Sequence, residues 1–345
     1  MAIPSEMNAL LLKGDGYATE RSGSALEAME PYVSLGRIAV PDPSGRQVLV
    51  KVDRAAINPS DVMFVKGLYG QPRAKGQPAG FEGVGTVVAA GDDPAAKVLI
   101  GKRIAFATGL SNWGSWAEYA IADALACIPL INGVKDEDGA ALIVNPLTAL
   151  AMFGIVRDEG ERAFVVTAGG SQLCKLMIGV AKEEGFRPIA IVRRDDQIEA
   201  LKALGAAHVL NEKSASFKSD LRAVMKAEQP RVFLDAVTGP VAAQIFHEMP
   251  KRARWIIYGR LDDTATEIRE PGQFIFQSKH IEGFWLTEWM RRNPEKRLAV
   301  IADAQKRFAD GRWKTDVTAV VPLAEAMGRV PAELARPDGK VFIAP

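Results

Sequence analysis

Cysteine and histidine are scarce in this sequence, with 2 Cys and 3 His among 345 residues. Cys127 and Cys174 cannot build a disulfide framework, nor a structural zinc site of four thiolates. His208, His247 and His280 stand alone, with no H-x-x-x-H pair. Long apolar runs are missing too, and none reaches the ~20 residues needed to span a bilayer. The opening stretch MAIPSEMNALLLKGDG lacks the basic-then-apolar pattern of a signal peptide. Neither sign of charge dominates: 43 Lys+Arg stand against 42 Asp+Glu, a net +1. That balance argues against bulk binding to nucleic acid or acidic membranes. The expectation is a soluble, cytoplasmic protein with no nucleic-acid or membrane partner.

What is present is an ordinary globular composition, 48% hydrophobic and 25% charged. It excludes wholesale disorder and collagen-like structure. The length suggests roughly two domains at the usual ~100–200 residues each.

The first third reads as β-rich. Gln47–Ala56 alternates apolar and polar residues, as a half-buried strand does. Gly83–Ala90 is glycine-spaced and β-branched, which suits close backbone approaches in a tightly turned sheet. Arg103–Ala107 and Trp116–Ala122 add short strands, so a small irregular β-barrel is expected. After about Pro129 the pattern changes. Apolar strands at Ala163–Thr167, Pro188–Val192, Val209–Leu210, Val232–Asp235 and Trp255–Tyr258 alternate with amphipathic helices. That alternation predicts βαβ units and an α/β doubly wound parallel sheet, with a ligand crevice at its carboxyl edge. The tail returns to mixed structure: helices near Pro294–Asp310 and Leu323–Arg329, strands at Val317–Val321 and Val341–Ala344. It is too short to fold alone and is expected to complete the first domain.

The first strand of the parallel sheet runs into Ala168-Gly169-Gly170-Ser171-Gln172-Leu173 and then a helix. Glycines let the backbone approach closely, and a helix N-terminus suits a pyrophosphate. The full G-x-G-x-x-G pattern is absent, because Gln172 and Cys174 fall where later glycines would stand. A plain strand-to-helix glycine turn is the alternative. Gln172 could donate its amide to a phosphate oxygen. At the end of the next strand, where an acid often holds the ribose 2′-hydroxyl of NAD, this chain has Arg193-Arg194. Two guanidinium groups there favour a 2′-phosphate, hence NADPH, unless they are a solvated helix start. Asp195 and Asp196 read as the N-cap and first turn of the following helix. Tyr258-Gly259 and the segment Asp235–Gly239 reach the same crevice edge by topology. Cys174 reads as a small packing residue or a dipole-activated thiol.

Asn58-Pro59-Ser60-Asp61, Lys66-Gly67-Leu68-Tyr69-Gly70 and Gly80-Phe81-Glu82-Gly83-Val84-Gly85 resemble the medium-chain dehydrogenase/reductase superfamily. The likeness is to its zinc-free branch of quinone reductases and 2-enoyl thioester reductases. Asn145-Pro146-Leu147-Thr148-Ala149 resembles the N-P-x-T-A segment of that family, and Gly205-Ala206 with Asn211-Glu212 resembles another of its stretches. The resemblance implies a Rossmann domain, residues 131–287, inserted into a GroES-like, β-rich catalytic domain of residues 1–130 and 288–345. Zinc enzymes of the superfamily would place Cys near Asn58 and His near Phe81, so the resemblance implies chemistry without metal.

Val65–Gly70 and Gly283-Phe284-Trp285-Leu286 look most like the mitochondrial-type enoyl thioester reductases. By that likeness Tyr69 hydrogen-bonds the substrate carbonyl or supplies the proton, and Trp285 lines the acyl pocket near the nicotinamide. Phe284, Leu286 and Thr148 fall to the cofactor by the same likeness. Asn58 and Asn145 would anchor the nicotinamide or the tyrosine's surroundings; an Asx turn or cap is the alternative for each. Tyr69 could equally be a turn aromatic packed on the barrel, and Trp285 plain core. Asp61 reads as a buried structural acid.

The function these residues imply is metal-free, NADPH-dependent hydride transfer to a quinone, an enone or an enoyl thioester. A nucleotide-binding, non-catalytic (crystallin- or sensor-like) member of the same fold is the competing class. Trp255–Gly259 and His280–Leu286 are expected as apolar strands at the edge of the nucleotide sheet. The resemblance implies that this edge pairs across a two-fold axis in a homodimer.

Overall fold

The computed structural model describes residues 3–19, 23, 25–108, 113–336 and 339–345. Its strands in chain order are β1 (Glu6–Leu12), β2 (Val33–Ala39), β3 (Gln47–Ile57), β4 (Glu82–Ala90), β5 (Arg103–Ala107), β6 (Tyr119–Asp123) and β7 (Cys127–Pro129). Then follow β8 (Ala163–Val166), β9 (Arg187–Val192), β10 (His208–Asn211), β11 (Val232–Asp235), β12 (Arg254–Ile257) and β13 (His280–Gly283). The tail adds β14 (Val317–Pro322) and β15 (Lys340–Ala344).

The chain forms two compact units, Met1–Leu147 with Leu298–Pro345, and Thr148–Arg297. Sequence reading sets the boundaries at 131 and 287, and local packing moves both. The helix Asp136–Ala140 lies on β3, β4 and β5, and the N–H groups of Ile143 and Val144 donate to Glu82. Residues 131–147 therefore stay with the first unit. The helix Leu286–Arg292 packs on the helix Thr148–Glu159, which keeps 288–297 with the second.

In the first unit the sheet order is β14-β15-β3-β4-β5-β7, with β6 also paired to β3. The long strand β3 alternates only from Val50 to Asp53, since Val48–Val50 and Ala55–Ile57 are buried as continuous runs; Val48, Val50 and Val52 enter a core with Phe106 and Trp116. Each such side chain contributes about 1.5–3 kcal/mol through burial. Gly85 shows why β4 is glycine-spaced: a Cβ there would stand 2.1 Å from the Lys51 carbonyl oxygen. β1 and β2 form a separate antiparallel pair that sequence reading does not anticipate. Likewise the expected strand Trp116–Ala122 is shifted, running from Tyr119 to Asp123.

The second unit holds a six-stranded sheet of order β10-β9-β8-β11-β12-β13, parallel throughout. This is the doubly wound order, reversing between β8 and β11, which sets a ligand crevice at the carboxyl ends of those strands. β8 and β11 are buried at every residue, so their near-continuous apolar runs are what a sheet covered on both faces demands. The expected strand His280–Leu286 ends at Gly283, because Trp285 becomes the N-cap of the helix Leu286–Arg292. β13 is an edge strand exposed at all four residues. The expected Asp195 cap is displaced by one residue: Arg194 takes the N-cap position of a short 3₁₀ turn, Asp195–Gln197. Asp195 accepts instead from Asn211 Nδ2 at 2.8 Å.

Candidate active site

The nucleotide unit presents a glycine turn at the end of β8. Ala168 is left-handed, with φ of 49°, and Gly169 N donates to Ile191 O at 2.9 Å. A Cβ on Gly169 would stand 2.9 Å from the Ala190 Cβ, and one on Gly170 would overlap the Gln197 amide. Ser171 caps the helix Gln172–Glu183, its hydroxyl accepting from Cys174 N at 3.3 Å. Hence Gly169, Gly170 and Ser171, with Gln172 and Leu173 in the first turn, form a helix N-terminus of the kind that receives a phosphate. Cys174 is buried, with its Sγ 3.3 Å from Thr167 O and 3.6 Å from the Tyr258 hydroxyl. Its side chain therefore fills the space beneath the turn. Burial raises the thiol's pKa, and burial beside Cys174 pushes the Tyr258 phenol well above its ordinary value.

Arg193 and Arg194 are exposed just past the end of β9. Arg194 Nε meets Asp196 Oδ1 at 3.1 Å, while Arg193 lends its charge to Glu212 and Asp262. Glu212 nevertheless titrates high, because burial outweighs its two cationic neighbours. Gly259 lies where a Cβ would come within 2.9 Å of Ala236 O. Phe284 is half-buried with its N–H on Ile257 O at 2.9 Å, Trp285 is 40% exposed, and Leu286 opens the following helix. Thr148 is buried at the start of the helix Thr148–Glu159.

Sequence reading does not assign the residue that ties this edge together. Asp235, fully buried, accepts from Thr167 Oγ1 at 2.5 Å, Val237 N at 2.9 Å and Trp255 Nε1 at 2.9 Å. One carboxylate thus joins the ends of β8 and β11 to β12. Burial raises its pKa, with the hydrogen bonds opposing.

In the first unit, the helix Pro59–Val65 leads into the turn that carries Tyr69. Gly67 sits at φ 77°, and Arg73 donates to Val65 O and Gly16 O, both at 3.1 Å. Tyr69 is half-buried, its ring centroid 5.0 Å from that of Phe81, which is itself 4.9 Å from Phe64. Beside this aromatic row lies a small cavity lined by Leu12, Gln77, Thr108 and Trp113.

Beneath it is a buried polar cluster. Asn58 caps the helix, and its N–H donates to Asp61 Oδ2 at 2.8 Å. Its Nδ2 donates to Glu82 Oε1 at 2.8 Å, and Lys340 Nζ donates to its Oδ1. Glu82 Oε2 accepts from Ile143 N at 3.0 Å and Val144 N at 2.9 Å. Those N–H groups open a π-helical turn, Ile143–Leu147, that contains Asn145. Asp61 is pushed up to about 7, first by burial and also by the Glu82 charge, against the Asn58 hydrogen bonds and the Lys340 charge. Burial likewise raises Glu82 and lowers Lys340, each opposed by the other. Both ends of the Asn58 amide are therefore occupied. Glu82 and Lys340 carry no role in the sequence reading; the only signal for Glu82 was an acid placed between apolar Phe81 and a glycine-spaced strand.

The described residues contain no group of three His, Cys, Asp or Glu that could hold a metal ion. Zinc does not fit the first unit: Asn58 is spent on Glu82 and Lys340, Phe81 has no donor atom, and Cys127 is buried. A dinucleotide does fit the second, its pyrophosphate at the N-terminus of the helix Gln172–Glu183, to which Gly169 and Gly170 bring the chain by packing closely on Ala190 and Gln197.

A unit built on a doubly wound sheet with a phosphate-binding turn, in one chain with a GroES-like unit, defines a nucleotide-dependent oxidoreductase fold. Residues 44–132 match the alcohol dehydrogenase GroES-like domain, and residues 173–302 match the family described as zinc-binding dehydrogenase. A solved structure from Mesorhizobium loti, provisionally called an NADPH:quinone reductase, is 73% identical over 100% of both chains, with a TM-score of 0.98. The mitochondrial enoyl-[acyl-carrier-protein] reductase of Schizosaccharomyces pombe is 27% identical over 83% of this chain and 82% of its own. The mitochondrial 2-enoyl thioester reductase heterodimer of Candida tropicalis shares the fold, with a TM-score of 0.79 at 22% identity over 99% of this chain and 100% of its own. The chain belongs to the medium-chain dehydrogenase/reductase superfamily.

Proposed function

We propose that the protein is an NADPH-dependent reductase that adds hydride to an acceptor conjugated with a carbonyl, a quinone, an enone or an enoyl thioester, without metal. The observation that carries the reading is the exposed Arg193-Arg194 pair beside the glycine turn, at the doubly wound sheet's carboxyl edge. The 73% identical relative and the enoyl reductases both support this chemistry. NADPH, when bound, supplies the hydride. Arg193 and Arg194 hold its 2′-phosphate, and the Gly169–Leu173 turn its pyrophosphate, with Thr148, Tyr258, Gly259, Phe284 and Leu286 completing the cofactor surface. Hydride addition to the conjugated system builds negative charge on the carbonyl oxygen. The Tyr69 phenol donates to that oxygen and stabilises the enolate. Trp285 supplies an apolar wall, and Asn58 and Asn145 act through the turns that they hold. The protein works as a cytoplasmic homodimer, its exposed β13 edge paired with that of a second copy.

Titration of NADPH fluorescence, with NADH as comparison, tests the cofactor. Failure to bind NADPH at tens of micromolar removes the reductase reading. Turnover of crotonyl thioester against 1,4-benzoquinone, in wild type and Tyr69→Phe, then decides the substrate class. Unchanged enoyl reduction in Tyr69→Phe removes the donor role.

A further inference from the structure

We infer that Glu82 is a positioning residue of this reduction, fixing Tyr69's aromatic seat against the Asn145 turn from beneath. The inference rests on the role of Tyr69 proposed above. Glu82 is 1% exposed, and each of its oxygens holds a different segment. Oε1 takes the amide of Asn58, whose helix runs into the Tyr69 turn; Oε2 takes two N–H groups of the turn that carries Asn145. Its chain neighbour Phe81 is the ring against which Tyr69 rests. Three segments far apart in sequence (58–70, 80–82 and 143–147) thus share one carboxylate.

The direction of every bond in the cluster is fixed by one cation. Lys340 is donor-only, so it forces Asn58 to present Oδ1 to it and Nδ2 to Glu82. Glu82, as a carboxylate, is acceptor-only and matches both Asn58 Nδ2 and the two backbone donors. A glutamine in its place cannot. Its Oε1 would serve Ile143 and Val144, leaving Nε2 against the Asn58 amide. Asn58 would have to turn over and aim Nδ2 at the Lys340 ammonium, and a buried donor facing a buried cation is costly. The seat of Tyr69 must then shift. Removing the cation at the same time, in Glu82→Gln/Lys340→Met, lets Asn58 turn over freely and restores both Glu82-type contacts.

The test compares wild type, Glu82→Gln, Lys340→Met and the double variant, each as the full chain with NADPH. The expectation for Glu82→Gln is a folded protein with unchanged NADPH affinity and KM within a few-fold. Its kcat falls ~10–100-fold, the scale of a misplaced reacting group. The double variant recovers most of that loss. A second readout does not need turnover: with 3-fluorotyrosine incorporated, the resonance missing from Tyr69→Phe moves in Glu82→Gln and returns towards its place in the double variant. An unmoved resonance, or single and double variants that lose kcat equally in step with their melting temperatures, overturns the inference. If Glu82→Gln does not fold, a double variant whose resonance sits at the wild-type position sustains it, and one displaced overturns it. Wild type that binds NADPH but reduces neither substrate defeats the proposed function instead, and the fluorine shift still decides the positioning claim.

Discussion

Lys340 Nζ donates to Asn58 Oδ1 across 282 positions of chain, joining the last strand to the cap of the helix that leads to Tyr69. Both residues are buried, and two carboxylates share the same pocket of low dielectric, Asp61 and Glu82. One ammonium cannot balance two carboxylates there. Asp61 carries the consequence: its Oδ1 has no hydrogen-bond partner among the described residues, while both Glu82 oxygens do.

Asp61 therefore makes stability depend on pH in a definite direction. Its folded-state pKa lies at about 7, above the 3.8 of a free side chain. The folded protein thus binds more protons than the unfolded chain between those values. This group's contribution is full below pH ~4 and is lost as pH rises to ~7, by at most about 4 kcal/mol. Asp61→Asn keeps an acceptor for the Asn58 N–H and cannot ionise. Denaturant melts from pH 4 to 8 should show the variant gaining on wild type up to pH ~7 and levelling beyond. A difference that stays flat from pH 4 to 8 would mean that Lys340 holds Asp61 ionised throughout.

At the other unit, Arg193 and Arg194 are the exposed cations just past the end of β9. Charge-assisted bonds to a phosphate contribute roughly 1.5–3 kcal/mol each. Arg193→Gln/Arg194→Gln should weaken NADPH binding by ~10-fold or more and leave NADH almost unchanged. Fluorescence titration at two salt concentrations measures both, and the selectivity of wild type should shrink as salt rises.

The nucleotide unit was legible because each of its parts is local. β8, β9 and β11 are short apolar runs, and the turn Ala168–Leu173 follows one of them directly. The two arginines fall where strand order alone puts them. Of the Asp61–Asn58–Glu82–Lys340 cluster, the buried acid Asp61 and the Asn58 cap were legible, but their union with Glu82 and Lys340 was not, for the opposite reason. Its members come from three separate elements, and nothing in the neighbourhood of Lys340 in sequence marks it as buried. Asp235 reads in sequence as a strand end, and yet its contacts, to Thr167 and Trp255, depend on parallel neighbours that only the folded sheet supplies. Domain edges slipped similarly, since the hydrogen bonds that Ile143 N and Val144 N donate to Glu82 decide where residues 143–147 belong.

Cys174 raises a question that the sequence left between packing and reactivity. Its sulfur is enclosed by Thr167 O and the Tyr258 hydroxyl, and burial raises its pKa; Cys127 is pushed up to about 12. A thiol reacts through its thiolate. Ellman's reagent at pH 8 should therefore label neither cysteine in the native protein within minutes, and both after unfolding. Rapid native labelling of Cys174 would mean that the turn above it opens.

Gly67 offers a direct test of how tightly the Tyr69 turn is held. Its φ of 77° lies in the left-handed region, and a Cβ would stand 2.6 Å from the Arg73 guanidinium carbon and 2.7 Å from Ala18 N. Arg73 cannot simply withdraw, because it is donating to Val65 O and Gly16 O. Gly67→Ala should therefore cost about 1–3 kcal/mol from the strained backbone alone. The turn lies between the helix end and Tyr69, so the displacement should also lower kcat more than it changes NADPH affinity. Arg73→Ala combined with Gly67→Ala relieves the guanidinium overlap and leaves the strain. If the pair is as active as wild type, the turn is set by Arg73 packing; if it stays as slow as Gly67→Ala, the backbone angle at Gly67 is what places the phenol.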